Sequence, residues 1–293
     1  MAGPVAVTGA RGRLGRAVAD ELTRRGTSFV SWTRPDYDLD DAAAAARVIE
    51  RDGPELVIHC AAWTDVDGCA RNPDLAERRN AAAAGELAAA CAATGTGLVL
   101  ISTNEVFDGR RDGGESSGYV ETDRPAPINP YGASKLHGEQ AAAAAFRDAS
   151  SDRLWIVRTS WLFGPPGNDF PTKIIAAADR LPPGDSLPVV ADEHSSPTST
   201  LDLAPALLDL AAAAPGGLYH LAAPGVASRF DVALEIVRAC RPGTNLQPIG
   251  RDSFARASTP PSFSALDSSL ASGFGARLRP WRDALLEYLT RLC

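Results

Sequence analysis

The sequence predicts an α/β fold: a doubly wound parallel sheet followed by a smaller C-terminal lobe. Three observations carry that expectation. Short runs that are apolar throughout recur along the first half, segments of helical pattern separate them, and a glycine triplet follows the first run. Parallel strands buried on both faces read as unbroken hydrophobic runs, and each needs a crossover to reach the next, which a helix supplies.

The elements follow in order. "PVAVTG" is the first strand, residues 13–25 are helical, and "SFVSW" is the second strand. Residues 41–51 are helical, "ELVIHC" is the third strand, 70–94 forms one long helix, and "GLVLIST" is the fourth strand. Residues 130–147 are helical and "LWIVRTSW" is the fifth strand. The alanine tracts at 42–46, 81–84, 141–145 and 211–214 sit in helical patterns, where alanine is the best former, and no longer repeat is visible. Beyond residue 165 the segments "GPPGNDFP", "RLPPGDSLP" and "DEHSSPTST" loosen the pattern, with helical stretches at 201–213, 229–240 and 280–292. The expected division is a dinucleotide-binding domain over 1–165 and a lobe over 166–293, with parts of 196–225 packing back onto the first.

Composition narrows the function. With 293 residues the chain has ample length for a core, and 45% apolar with 22% charged residues reads as globular. A net charge of −7 argues against a nucleic-acid partner. No signal peptide opens the sequence, and no apolar run would span a bilayer, so a cytoplasmic protein without membrane contact is expected. The five cysteines, Cys60, Cys69, Cys91, Cys240 and Cys293, form no C-x-x-C, which argues against a disulfide framework or zinc site and fits a reducing compartment. The four histidines are scattered, and no metal site is expected.

The glycine triplet is Gly9, Gly12 and Gly15 in "VTGARGRLG", with Arg11, Arg13 and Leu14 between them. Glycines let a backbone approach a pyrophosphate, and a helix N-terminus offers it free N–H groups, so a Rossmann-like dinucleotide site is expected over a bare tight turn. The end of the second strand reads the adenosine ribose, where an acid favours NAD and a base admits the 2′-phosphate of NADP. "SWTRPDYD" offers Arg34 there, so NADPH is the expected cofactor and NADH stays open; the bland alternative is a solvated arginine.

"NPYGASKLHGE" carries the chemistry. Arginine is used almost everywhere as the base, and lysine stands only at Lys135 and Lys173. Asn129 and Pro130 read as an N-cap and first helical residue, which places Tyr131 and Lys135 one turn apart on one face. A nearby ammonium favours phenolate, so the pair is expected to make the phenol acidic enough to exchange protons with a carbonyl or alcohol. "ISTNEVF" ends the fourth strand, where ligands of open parallel sheets bind, and supplies Ser102 and Thr103; Thr103 either holds the reacting oxygen or satisfies a local turn.

On these residues the chain resembles the extended short-chain dehydrogenase/reductases and, within them, the dTDP-4-dehydrorhamnose reductase family. The matching pieces include "CAAWTDVDGCA", Asn80, "STNEVFDG", "VRTSWLFG", "SSPTSTLDLA" and "SALD", and the narrower of these signals are the aromatic in "CAAWT", the "VFDG" and the "RTSW". The resemblance implies reduction of the C4 ketone of a nucleotide-linked 6-deoxyhexose. It implies that Tyr131 is the general acid, that Lys135 binds the nicotinamide ribose, and that Thr103 steadies the carbonyl oxygen. Cys60, Ala61, Ala62, Trp63 and Ser102 would line the cofactor, with Asp38 and Leu39 near the adenine. Trp161 would pack on the sugar or serve as core, and Arg256 would meet the diphosphate or stand exposed on a loop. The family has Asp-Tyr after the threonine where this chain has Asn104-Glu105, which leaves the sugar open; Asn104 would still bond a sugar hydroxyl. Magnesium at a dimer contact occurs in some family members, though no carboxylate cluster in this sequence requires it. A homodimer remains open. So do a reductase or epimerase of a related deoxysugar and a non-catalytic subunit like the regulatory subunit of methionine adenosyltransferase.

Overall fold

Every apolar run of the first half becomes a strand. The computed structural model describes residues 3–110, 118–253 and 255–293. Its central sheet begins with β1 (Val5–Thr8), β2 (Phe29–Trp32), β3 (Leu56–His59), β4 (Gly97–Thr103) and β5 (Leu154–Thr159). Short pairings β6 (Leu162–Phe163), β8 (His194–Ser195), β9 (Thr198–Ser199) and β11 (Ala227–Ser228) lie beyond it, and β7 (Ser186–Val190) pairs in parallel with β12 (Asn245–Ile249). A sixth sheet strand, β10 (Gly217–His220), has no counterpart in the sequence reading. The order is β10-β5-β4-β3-β1-β2, every neighbour parallel.

The helices cover both faces. They are α1 (Arg13–Arg24), α2 (Ala44–Asp52), α3 (Val66–Arg71), α4 (Pro73–Ala76), α5 (Ala83–Thr94), α6 (Pro130–Asp148), α7 (Phe170–Asp179), α8 (Thr200–Ala213), α9 (Arg229–Cys240), α10 (Ser269–Gly273) and α11 (Trp281–Leu289). In α1, Leu14, Ala17, Val18 and Leu22 recur at helical spacing and are buried, so the helix lays one apolar stripe on the sheet beside α8. On the opposite face α2, α5 and α6 pack on Val57, Leu98 and Leu100 around the buried Trp32, whose Nε1 donates to Asp52 Oδ2 at 2.7 Å. Truncating one of these leucines to alanine would cost about 2–5 kcal/mol. A separate apolar cluster joins Ile174, Ile175, Val232, Ile236, Trp281 and Leu285 from α7, α9 and α11.

Two expectations are corrected. The single helix over 70–94 is instead α3, α4, a π-helical turn (Glu77–Ala82) and α5, because Asn72 leaves helical geometry and Pro73 starts anew. Cys240 and Cys293 are disulfide-bonded, joining the end of α9 to the last residue; the reading from cysteine spacing missed it because the two are distant in sequence and converge only when α11 packs on α9. Among the described residues no helix is long and apolar enough to cross a membrane.

Candidate active site

In an open sheet, the crevice lies where consecutive crossovers diverge to opposite faces, here at the carboxyl ends of β1 and β3. A cavity of about 350 Å³ opens there. It is lined by Gly9, Arg11 and Gly12 after β1, by Arg34, Asp38 and Leu39 after β2, and by Cys60, Ala61, Ala62 and Trp63 after β3. The backbone explains the glycines. Gly9 has φ +62°, and a Cβ there would stand 2.9 Å from Ala61; one at Gly15 would strike the Gly9 carbonyl. Gly12 begins α1 with no side-chain cap, which leaves the helix N-terminal amides for a ligand anion. Arg11 and Arg34 are exposed on the wall. A close-approach loop, uncapped amides and two flanking bases suit a dinucleotide with an extra phosphate.

Several of the expected side chains serve the scaffold too. Thr8 Oγ1 meets His59 Nδ1 at 2.9 Å and accepts from Ala61 N at 3.0 Å, tying β1 to the loop after β3. Asn80, on the π-helical turn, accepts from Trp63 N at 2.8 Å and donates to Trp63 O at 3.0 Å and Ser134 Oγ at 3.1 Å. That clamp fixes the Cys60–Trp63 loop against α6, a use consistent with π-turns at functional positions. The Arg13 guanidinium donates to the carbonyls of Leu162, Gly167 and Asn168, so it holds β6 and the loop after it and does not stand free in the glycine turn.

A second cavity of about 280 Å³ shares Cys60 and Ala62 with the first and so extends the same groove. It gathers Arg13, Leu14, Ser102, Thr103, Asn104, Glu105, Tyr131, Lys135, Trp161 and Arg229. The local sequence sets this up. Asn129 Oδ1 accepts from Gly132 N at 2.8 Å and caps α6, with Pro130 at its first position, so Tyr131 and Lys135 project from the first turns. Lys135 is buried, and its Nζ donates to Ile101 O at 2.6 Å, at the end of β4. Burial pulls its pKa down to about 8, with Glu139 opposing. The ammonium therefore faces the groove and the strand ends, away from bulk water.

The expected acidification of Tyr131 is not what the structure has. Burial first, then the Glu105 charge, push the phenol upward, and the Thr103 hydroxyl opposes them. The lysine does not counter this, and its ammonium is directed to the Ile101 carbonyl. Thr103 Oγ1 accepts from Glu105 N at 3.2 Å and donates to Asn104 Oδ1 at 3.2 Å, so it also fills the turn role. Asn104 spends its amide donors on Ser195 Oγ at 3.1 Å and Ser264 Oγ at 2.7 Å, which corrects the expectation of a free sugar-binding amide. Ser102 Oγ donates to the buried Glu139, which is ion-paired with Arg158 at 2.6 Å. Arg256 lies outside both cavities and pairs with Glu193, so the expected diphosphate contact is not prepared.

Sequence reasoning missed Tyr37 and Arg79 on the first cavity and Glu105 and Arg229 as side chains of the second. Arg229 lies on the Trp161 ring, 3.5 Å from its centroid. Its only legible signal was an arginine directly after a serine cap at the start of a predicted helix.

Comparison with known proteins follows the same geometry. A Mycobacterium tuberculosis protein named dTDP-4-dehydrorhamnose reductase is 41% identical over 284 residues, covering 95% of this chain and 90% of that one. A protein of the same name from Mycolicibacterium smegmatis is 39% identical, covering 97% and 84%. The crystal structure of dTDP-4-dehydrorhamnose reductase from Bacillus anthracis in complex with NADP superposes with a TM-score of 0.90 at 32% identity, covering 99% of this chain and all of the other. The model of the RmlD substrate binding domain matches residues 3–293, and the chain belongs to that family.

Proposed function

We propose that this chain reduces the C4 ketone of a dTDP-linked 6-deoxyhexose, dTDP-4-dehydrorhamnose, to the alcohol with NADPH as reductant. One observation carries the reading: the cavity that gathers Thr103, Tyr131 and Lys135 runs through Cys60 and Ala62 into the cavity beneath the glycine turn. The relatives named above support the substrate and the cofactor.

In this reading the glycine turn, with Arg11, holds the pyrophosphate, Arg34 meets the 2′-phosphate, and Asp38 and Leu39 border the adenine. When bound, the dihydronicotinamide supplies a hydride to the ketone carbon. The side chains do the rest. Thr103, whose hydroxyl donates to Asn104 Oδ1 in the structure, turns that single proton to the ketone oxygen when the sugar binds and fixes its direction. Tyr131 delivers the proton that the oxygen gains, and its raised pKa keeps the phenol protonated until then. Lys135 holds the ribose next to the reacting ring and returns positive charge to the site as the phenolate forms. Trp161 bounds the sugar, and the lobe that carries α7, α9 and α11 closes over it, while β10 belongs to the sheet and α8 packs on it.

The test is turnover. Purified protein with NADPH and dTDP-4-dehydrorhamnose is expected to consume the cofactor's dihydronicotinamide absorbance and yield dTDP-rhamnose. NADPH left unoxidised with this and related dTDP-4-keto sugars would remove the reading.

A further inference from the structure

The sugar cavity contains two opposite charges that do not touch. Glu105 sits in the short turn Asn104–Val106, and Arg229 opens α9. Glu105 Oε2 accepts from Asn129 Nδ2 at 2.6 Å, and Oε1 has no hydrogen-bond partner among the described residues. The Arg229 guanidinium lies over Trp161 at 3.5 Å and near Phe170 at 5.1 Å, and among the described residues it makes no hydrogen bond or ion pair. Burial pushes the carboxyl up and the guanidinium down to about 10, each partly countered by the other's charge.

What would complete this arrangement follows from donor and acceptor inventories. A phosphate would satisfy Arg229 but repel Glu105, and an ammonium would do the reverse. A hydroxyl donates to one and accepts from the other. Its position is also constrained. Glu105 N donates to Thr103 Oγ1 at 3.2 Å, so the Glu105 backbone lies one tight turn from the hydroxyl assigned to the ketone oxygen, and both residues line the same cavity. Arg256, the other base that Glu105 senses, is taken by Glu193.

We propose that Glu105 and Arg229 together read the sugar hydroxyl next to the reacting carbonyl, and so select hydroxylated sugars over their 3-deoxy counterparts. This rests on the function proposed above. Glu105 and Arg229 are half-buried, and a sugar seated on them would take both out of water. A site built to bond a substrate hydroxyl then leaves those groups unpaired when the hydroxyl is missing, which is why such sites discriminate far better than apolar ones.

Binding measures this without turnover. Calorimetric titration of the NADPH-loaded protein with dTDP-rhamnose and with its 3-deoxy analogue is expected to show a preference of about a hundredfold or more for the hydroxylated sugar. Glu105→Ala and Arg229→Leu are each expected to cut that ratio by about tenfold. Glu105→Gln, nearly isosteric, repeats the test should the alanine variant fail to fold. Wild-type protein binding both sugars equally, or variants keeping the full ratio, would overturn the hydroxyl reading alone. Wild-type protein binding neither would overturn the proposed function with it.

Discussion

The Lys135 ammonium donates to the Ile101 carbonyl at 2.6 Å, and no hydrogen bond joins it to Tyr131. The two residues share a helix face and a cavity, yet the phenol is governed by burial and Glu105. Tyr131 is thus a proton donor held in its acid form, with the cation placed to receive the ribose and to balance the phenolate afterwards. Tyr131→Phe keeps the ring and its packing and removes only the proton. Turnover is expected to fall by about 10²–10⁴-fold. NADPH affinity, measured by fluorescence titration, should stay within a few-fold. Near-wild-type turnover in the variant would remove the tyrosine from its role.

Lys135 sets a pH limit. Its pKa in the folded chain is about 8, so the charged form that the mechanism uses is complete below that value and is lost above it. The kcat/KM profile of the substrate reaction is expected to fall on the alkaline side from about pH 8. Stability runs the other way. The unfolded lysine titrates near 10.4, so between about pH 8 and 10 the unfolded state binds more protons and folding stability rises with pH. At neutral pH the buried charge costs about 3 kcal/mol at most, from the shift at 1.36 kcal/mol per unit. Lys135→Met should therefore lose turnover while gaining thermal stability, as read by calorimetry at pH 7; a variant that loses both would place the lysine in the scaffold.

The sequence made some of this legible and not the rest, for physical reasons. The strands Val5–Thr8, Leu56–His59 and Gly97–Thr103 are buried on both faces, so their unbroken apolar runs declared them. Gly217–His220 escaped because a four-residue strand flanked by glycine and histidine looks like a turn. The break at Asn72 was legible from Pro73, but the π-turn bearing Asn80 was not, since alanine-rich sequence suits any helical winding. Tyr131 and Lys135 were legible because one helix carries both. Glu105 and Arg229 come from remote segments, and only the chain's closure around the cavity makes them neighbours.

Arg34 tests cofactor choice. Its side chain is exposed on the wall of the first cavity with Arg11, and Asp38 lines the same wall. Charge-assisted bonds to a phosphate contribute about 1.5–3 kcal/mol when well formed, and less at an exposed site. Arg34→Ala is expected to weaken NADPH by about tenfold and to leave NADH within about twofold, compared by titration of both cofactors. Equal losses for both would show that the guanidinium does not meet the 2′-phosphate.

Glu139 and Arg158 test what holds the site in place. Their side chains are 6% and 2% exposed, the pair is bidentate at 2.9 and 2.6 Å, and Ser102 Oγ donates to the same carboxylate. Glu139 therefore pins α6, one turn below Lys135, to β4 through Ser102 and to β5 through Arg158. Removing one partner leaves a buried charge uncompensated, and Glu139→Met is expected to cost about 3–5 kcal/mol in urea unfolding. Replacing both, Glu139→Met with Arg158→Met, should recover most of that loss, because the desolvation cost disappears with the charges. The double variant separates stability from positioning: if it folds as stably as wild type but reduces substrate more slowly with an unchanged NADPH affinity, the pair's role is to aim the Tyr131 helix. Wild-type turnover in that stable double variant would show that packing alone holds the helix in register.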